Sequence, residues 1–156
     1  DYYAESKIMY ENYLHKISLN HKKMNILILR LPGYVGAKSK NNFISNLKEK
    51  IKNNFQISIS NPNTLFNNIV HEKTLGKIIK KFLIKEKRNY LIINPASKNP
   101  LKIINIVKLI YKLQNKKYNF TITKNNSKPF VICTNLIRKL NYEINTTKKE
   151  ILNFIK

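Results

Sequence analysis

A tyrosine and a lysine four residues apart, Tyr3 and Lys7, stand close to the start of this chain, with Ala4, Glu5 and Ser6 between them. Residues i and i+4 share one face of a helix, so a helix here places the phenol and the ammonium group side by side. An adjacent cation favours the ionised form of a phenol. The pair is therefore a candidate for proton transfer near neutral pH. A solvated charge beside an exposed aromatic ring is the alternative that the spacing leaves open.

The sequence around this pair extends the pattern. Glu11 follows Lys7 by four positions, and an apolar, strand-like run ends at residues 30–36, Arg-Leu-Pro-Gly-Tyr-Val-Gly. Together they resemble the extended short-chain dehydrogenase/reductase family in its NAD-dependent epimerase/dehydratase branch, and specifically its C-terminal part. Residues 66–71, Phe-Asn-Asn-Ile-Val-His, resemble a later family segment that usually reads Val-His-Val-x-Asp-Leu-Ala. The resemblance covers nearly the whole chain.

The resemblance implies a fold class. The chain is expected to be α/β, the C-terminal part of a Rossmann-like parallel sheet with a smaller α/β substrate-binding lobe. About residues 1–36 and 65–95 are expected to belong to the Rossmann region, and most of the remainder to the substrate lobe.

The resemblance also implies a reaction and its site residues. Tyr3 exchanges a proton with a sugar hydroxyl or keto oxygen while hydride passes to or from NAD or NADP. Lys7 holds the ribose hydroxyls of the cofactor and favours the phenolate. Pro32 and Gly33 lie against the nicotinamide ring, where a residue without a side chain permits close approach. Many family members carry Asn at the position of Gly33 to reach the substrate, and Gly33 has no side chain that could do so.

Two further residues are candidates for substrate contact. His71 is expected near the substrate cleft, or alternatively as a neutral side chain that bonds local backbone. Thr74 takes the place of a family Asp that caps the following helix. Residues 134–142 resemble a late family helix, in which Asn141 can adopt the left-handed conformation of the usual Gly. Arg138 in this segment is either a phosphate contact or an exposed helix charge.

The chain lacks two features of the family. Its only glycines are Gly33, Gly36 and Gly76, so no glycine-rich dinucleotide fingerprint is present. The catalytic Ser or Thr upstream of the tyrosine has no counterpart. The resemblance therefore implies that an N-terminal cofactor-binding half of about 130 residues precedes Asp1 in the complete enzyme, and that the 156-residue chain alone is inactive. The partners implied are a nucleotide-sugar substrate, that missing half and, as an option, a second copy in a homodimer.

The composition is strongly basic, with 30 Lys and Arg against 8 Asp and Glu and a formal net charge of +22. Such an excess suits a nucleic-acid-binding domain. The basic residues are spread along the whole chain, however, and the abundance of Lys, Asn and Ile indicates A/T-rich coding. We therefore expect no specific nucleic-acid binding and a field that attracts a diphosphate-bearing substrate. A basic nucleic-acid-binding domain and a non-catalytic family relative remain the alternatives.

Cys133 is the only cysteine, which excludes an intrachain disulfide and a cysteine-based zinc site. It lies in the apolar run of residues 130–133 and is expected to be a buried structural thiol. No His, Asp and Glu cluster has metal-ligand spacing. No apolar stretch approaches the ~20 residues of a membrane span, so a cytoplasmic protein is the default expectation.

Apolar periodicity predicts alternating helices and strands. The runs 25–31 and 89–93 are apolar almost throughout, and we expect them to be neighbouring buried strands with a helix of residues 3–21 packed beside them. Pro32 and Gly33 are expected to open a loop. The remaining predictions are helices near residues 43–51, 75–83, 99–113, 134–140 and 147–155, and extended segments at 55–59, 65–70 and 118–123.

Three helix starts are predicted from residue type. Asn99 and Pro100 are typical of an N-cap and a first helical residue. Thr134 is expected to cap a short helix. Thr147 and Glu150 have the spacing of a capping box.

Overall fold

A computed structural model of the chain describes residues 1–123 and 130–156. Helices and strands alternate along these residues. The helices are α1 Tyr2–Asn20, α2 Phe43–Lys52, α3 Glu72–Lys85, α4 Ile103–Leu113, α5 Asn135–Lys139 and α6 Thr147–Ile155. The strands are β1 Ile26–Leu29, β2 Gly33–Val35, β3 Ile57–Ser60, β4 Leu65–Phe66, β5 Ile69–His71, β6 Tyr90–Ile93, β7 Leu101–Lys102 and β8 Phe120–Thr123.

The strands form pairs, most of which are parallel. β1 pairs with β6, β2 with β5 and β3 with β8, all in parallel, and β4 pairs with β7 in antiparallel. Parallel partners must be joined by crossover connections, and helices lie in the connections here. The predicted α/β class is therefore confirmed.

The two apolar runs singled out in the sequence are neighbours. In the pair β1–β6, the register runs from Ile26 opposite Tyr90 to Leu29 opposite Ile93. α1 packs beside them, and the Tyr90 hydroxyl donates to the Glu11 carbonyl at 2.9 Å. The prediction of two neighbouring strands with a helix beside them is confirmed, but β1 is half-buried along its length and ends at Leu29, so the expectation that the whole run 25–31 is a buried strand is wrong.

α1 is nevertheless a largely exposed helix. Met9, Tyr13 and Ile17 are spaced four apart on one face of the helix, but they do not enter a core, and the exposed fraction of Met9 reaches 71%. Within the part of the chain that the structure describes, Ser18 is the buried residue of this helix. None of the helices in residues 1–123 and 130–156 combines the length and apolar content that crossing a bilayer requires.

Two apolar cores lie under the remaining elements. The first joins α2, α4 and α6 to β3 and β5 and includes Ile51, Ile106 and Ile151. The second joins α3 and α5 to β6 and includes Phe82 and Ile93. The period-3.6 spacing of apolar residues matches this burial on α2 and α4, as expected for helices with one covered face. On α3, Ile78 and Phe82 are buried but Leu83 is exposed.

The prediction that Pro32 and Gly33 open a loop is wrong for Gly33. The chain resumes a strand at Gly33, which pairs with Ile69 in the β2–β5 ladder. A Cβ added at Gly33 would lie 2.8 Å from the Asn68 carbonyl oxygen, so this position has no room for a side chain. The pairing partner lies far along the chain, and local turn chemistry therefore does not reveal this strand.

Two of the predicted helix starts are also wrong. Asn99 does not cap α4: it has a left-handed φ of 54°, and a short strand precedes the helix, which begins at Ile103. The cap of α6 is Thr146, whose hydroxyl accepts from the Lys149 amide at 3.2 Å. Thr147 instead bonds to other segments of the chain. Its side chain is buried, so tertiary contacts override the local capping pattern.

The short helix α5 has its predicted place. Thr134 occupies the N-cap position but makes no capping hydrogen bond through its side chain. Asn141, shortly after the helix, has a φ of 56°. The prediction that Asn141 takes the left-handed conformation is confirmed.

Candidate active site

The first turns of α1 bring Tyr3 and Lys7 together. Asp1 caps this helix, and its carboxylate accepts from the Tyr3 amide at 3.0 Å. The Lys7 Nζ lies 5.3 Å from the centroid of the Tyr3 ring, within cation–π distance. Both residues therefore share one face of the helix, as the spacing predicts.

Both side chains are available to a ligand. The exposed fraction of Tyr3 is 70%. Among the described residues, no side-chain hydrogen bond engages the Tyr3 hydroxyl or the Lys7 ammonium group. A phenol and an ammonium group in this state can bind polar groups of a bound molecule or exchange protons with it.

Tyr3 and Lys7 line an open cleft of about 1100 Å³. Its other walls come from the end of β1 and from residues that follow β6 or precede α5, namely Leu29, Arg30, Leu31, Asn94, Ile132 and Cys133. The cleft thus lies at the carboxyl ends of two parallel strands. In open α/β sheets this is the edge at which ligands bind.

A salt bridge joins α1 to this edge of the sheet. The Arg30 guanidinium donates two hydrogen bonds to the Glu11 carboxylate, at 2.9 and 2.6 Å. The hydrogen bond with Arg30 holds the pKa of Glu11 below its usual value, and the same contact raises the pKa of Arg30. Arg30 therefore fixes the cleft wall, with its guanidinium already bound to a carboxylate.

Pro32 and Gly33 are close in sequence to the cleft but are not among its lining residues. Pro32 is buried, and the Gly33 amide donates to the Asn68 Oδ1 at 3.0 Å. The absence of a side chain at Gly33 is explained within the protein by the close approach of Asn68.

His71 lies away from Tyr3. It lines a second cleft of about 640 Å³ together with Gly36, Ser39 and Lys73, and this cleft shares no lining residue with the first. The His71 Nδ1 accepts from the Lys73 amide at 3.1 Å and caps α3. The local-backbone alternative for His71 therefore matches the structure, and burial lowers the pKa of the imidazole.

Thr74 does not cap α3, contrary to the prediction. Its side chain is buried and accepts from the Asn145 amide at 2.8 Å. His71 precedes the helix directly and reaches its free amides first, which explains why the cap is a histidine.

Arg138 and Cys133 are the last two residues for which the sequence analysis made a prediction. Arg138 is exposed on α5 and lines neither of these clefts. Cys133 is exposed and not buried, so the expectation of a structural core thiol is wrong. Residues 130–134 belong to no helix or strand, and the apolar neighbours Phe130 and Val131 are exposed like Cys133 itself.

Sequence reasoning missed two contributors to the cleft, Asn94 and Ile132. It also missed Asn67, whose amide holds Ile132 in place through hydrogen bonds. The signal for Asn94 was present, since it directly follows the strand 90–93 at the ligand-binding edge. In the described ranges 1–123 and 130–156, no group of three His, Cys, Asp or Glu side chains is placed to hold a metal ion.

Comparison with known proteins identifies the fold. No protein-family model and no curated protein matches the chain. Among solved structures, dTDP-4-dehydrorhamnose reductase from Yersinia enterocolitica is similar, with a TM-score of 0.74 and 18% identity over 99% of this chain and 56% of its own. UDP-N-acetylglucosamine 4-epimerase from Bacillus cereus has a TM-score of 0.71 and 16% identity over 90% of this chain and 50% of its own.

A third similar structure is the UDP-glucose 4-epimerase of Thermus thermophilus in complex with NAD, with a TM-score of 0.72 and 11% identity over 98% of this chain and 52% of its own. The chain thus spans about half the length of these structures. At these identities the likeness establishes the fold. The Rossmann-like fold implied by the sequence motifs is confirmed.

Proposed function

We propose that this chain is the C-terminal, substrate-side part of an NAD(P)-dependent enzyme that epimerises, dehydrates or reduces a nucleotide sugar. The observation that carries the proposal is the Tyr3–Lys7 pair, whose polar groups face a cleft at the carboxyl ends of β1 and β6. The fold supports it, because the similar structures are nucleotide-sugar epimerases and reductases.

In this proposal Tyr3 is the proton donor and acceptor. Its hydroxyl is free of hydrogen bonds within the described residues and can bond a sugar hydroxyl or keto oxygen. Lys7 lies one turn further along the same helix face, with its Nζ 5.3 Å from the centroid of the Tyr3 ring, where it can bind a cofactor beside the phenol. When bound, NAD or NADP supplies the hydride acceptor or donor.

The cleft residues fit such a cofactor in part. The Lys7 ammonium is unpaired among the described side chains and can donate to ribose hydroxyls. Gly33 and Pro32 are proposed to contact the nicotinamide, on the basis of the sequence resemblance and of their place beyond the end of β1. No glycine-rich turn of this chain can hold the diphosphate, so the proposal assigns that role to the N-terminal half of the complete enzyme.

The domain assignment follows from the same proposal. Residues 1–36 and 65–95 include β1, β6, α1 and α3, and we assign them to the Rossmann region. The remainder is assigned largely to the substrate lobe. His71 and Arg138 are also proposed as substrate contacts. In the complete enzyme, a bound nucleotide sugar would reach His71 at the second cleft or Arg138 on α5.

A turnover assay tests the proposal. It uses the full natural chain, that is, the complete protein together with the N-terminal half proposed above. The protein is incubated with NAD(P)+ or NAD(P)H and a panel of UDP-hexoses, dTDP-hexoses and their 4-keto derivatives, and products are separated by chromatography with mass detection. Conversion of one panel member is expected. A folded protein that converts none of them and binds none by calorimetry contradicts the proposal, and salt-sensitive binding of DNA or RNA instead favours the nucleic-acid alternative.

A further inference from the structure

One buried amide holds the segment that forms part of the active-site cleft. Asn67 lies between β4 and β5 and has an exposed fraction of 2%. Its Nδ2 donates to the Ile132 carbonyl at 2.8 Å and to the Ser97 carbonyl at 3.1 Å. Its Oδ1 accepts from the Ile132 amide at 2.9 Å. Both backbone polar groups of Ile132 are therefore bound by a single side chain 65 positions away in sequence.

The position of Ile132 depends on its hydrogen bonds with Asn67. Residues 130–134 belong to no helix or strand. Among the described residues, Ile132 makes no other backbone hydrogen bond. A segment without ladder or helix hydrogen bonds is free to move unless side chains hold it, so the Asn67 amide sets where this segment lies.

Asn67 is itself firmly anchored. Its carbonyl accepts from the Ser97 hydroxyl at 3.1 Å, and the Ser97 hydroxyl meets the Thr147 hydroxyl at 2.8 Å. Asn67, Ser97 and Thr147 are all buried. A buried network in which each polar group has a partner is rigid and costly to disrupt. The amide is thus tied to the loop after β6 and to the start of α6.

The segment held in this way lines the Tyr3–Lys7 cleft. Ile132 and Cys133 are lining residues, whereas Asn67 is not. We propose that Asn67 is a positioning residue, which clamps the chain at Ile132 so that Ile132 and Cys133 form the wall against which the sugar of the substrate lies. This inference rests on the proposed function, because it names a contact surface for the same substrate.

The size of the expected effect follows from the geometry of catalysis. A displacement of about 1 Å in a substrate-positioning wall can lower the rate by about 10²-fold, even when the altered residue does not touch the reacting atoms. Asn67 reaches the cleft only through Ile132, so its loss should weaken sugar positioning and leave the cofactor contacts of Lys7 intact.

The kinetic test compares Asn67→Ala with Asn145→Ala in the full natural chain. Asn145 is a matched control, because its amide also bonds polar groups, at 2.8 Å to Thr74 and 3.4 Å to Glu150, but it does not line the cleft. Asn67→Ala is expected to lower kcat/KM for the nucleotide sugar at least about 10-fold, mainly through KM, with the KM for NAD(P)H unchanged. Asn145→Ala is expected to change neither.

Two further measurements read the clamp directly. Hydrogen exchange of the Ile132 amide should be at least about 10-fold faster in Asn67→Ala, because the variant removes the acceptor of that amide. Cys133 lines the cleft, so labelling of its thiol, followed on the peptide that contains Cys133 by mass spectrometry, reports on the cleft wall. The panel sugar with the highest turnover should slow labelling of Cys133 in the natural protein and lose this protection in Asn67→Ala. If Asn67→Ala does not fold, Asn67→Asp keeps the shape and removes both donors.

The outcomes separate the two proposals. Suppose that the panel sugar is converted but does not protect Cys133, and that Asn67→Ala changes the KM for this sugar no more than Asn145→Ala does. In that case Asn67 has no positioning role, and the proposed function stands. If no panel sugar is bound or converted, the proposed function fails and this inference fails with it.

Discussion

The carboxylate of Glu11 and the guanidinium of Arg30 meet through two hydrogen bonds of 2.9 and 2.6 Å. The contact crosses from the helix that carries Tyr3 and Lys7 to the end of the strand that borders the cleft. Two-fold hydrogen bonding between a carboxylate and a guanidinium has fixed geometry, so the contact sets the position of the helix relative to the sheet.

The first prediction concerns this salt bridge. Glu11→Gln should lower the free energy of unfolding by about 1 kcal/mol, a modest value because half of the Arg30 side chain is exposed to solvent. The pKa of Glu11 is lower in the folded state, so its stabilisation is present above the ordinary value of 4.5 and is lost as the pH falls through the folded-state pKa. Urea unfolding at several pH values measures the difference.

The surface pair of Lys77 and Glu143, in which both side chains are exposed, supplies the control. Glu143→Gln removes a salt bridge on the surface and should leave the unfolding midpoint at neutral pH unchanged. A Glu11→Gln protein that is as stable as the natural one at pH 7 would show that this contact does not fasten the helix.

The second prediction concerns the phenol. Tyr3→Phe in the full natural chain keeps the ring and removes the transferable proton, so turnover should fall by about 10²-fold or more. Tyr13→Phe is the matched control, because Tyr13 is an exposed tyrosine of the same helix that does not line the cleft. Steady-state kinetics of both variants decide the matter, and near-natural turnover of Tyr3→Phe rejects Tyr3 as the proton donor.

The third prediction concerns Lys7. Lys7→Met keeps the length of the side chain and removes its charge and donors. The variant should bind NAD(P)H more weakly and turn over more slowly than the natural protein, because the ammonium group proposed to hold the ribose hydroxyls is lost. Fluorescence titration of the full natural chain with NADH and NADPH measures the first effect, and unchanged affinity for both cofactors contradicts the assignment of Lys7.

The fourth prediction concerns the 156-residue chain by itself. It should not bind NADH selectively, because the diphosphate normally rests on amides of a glycine-rich turn. Its net charge of +22 should give weak binding to any polyanion, which salt screens. Titration calorimetry at about 0.15 M salt with NADH and with tripolyphosphate separates the two cases. Micromolar affinity for NADH alone would place the cofactor site within this chain.

The fifth prediction concerns a buried carboxyl group. Glu150 has an exposed fraction of 0%, and its Oε1 has no hydrogen-bond partner among the described residues. Burial raises the pKa of Glu150, so the folded state binds its proton more tightly than the unfolded state does. Stability from this group is complete below the ordinary value of 4.5 and is lost as the pH rises through the folded-state pKa.

Glu150→Gln should therefore stabilise the protein at neutral pH, by about 1 kcal/mol, and the gain should vanish on acidification below pH 4.5. Glu49→Gln, at an exposed position of α2, should have no such effect. Thermal unfolding across this pH range measures both variants. A Glu150→Gln protein that is less stable at every pH indicates that the carboxylate is needed for the hydrogen bonds around it.

The sequence by itself determined the features that depend on local geometry. Tyr3 and Lys7 share a helix face because residues four apart always do so on a helix. The runs around β1 and β6 were predictable as neighbouring strands because short runs that are apolar almost throughout are typical of parallel sheets. Asn141 was predictable as left-handed because its short amide tolerates a positive φ.

Only the tertiary structure decided which distant groups meet. Asn67 binds Ile132 across 65 positions, and Arg30 binds Glu11 across 19. His71 replaces Thr74 as the cap of α3, and Cys133 faces solvent in spite of its apolar neighbours. Propensity and spacing describe a few residues at a time, whereas these contacts arise when separate elements pack, and the packing of whole elements sets which side chains come within hydrogen-bond distance.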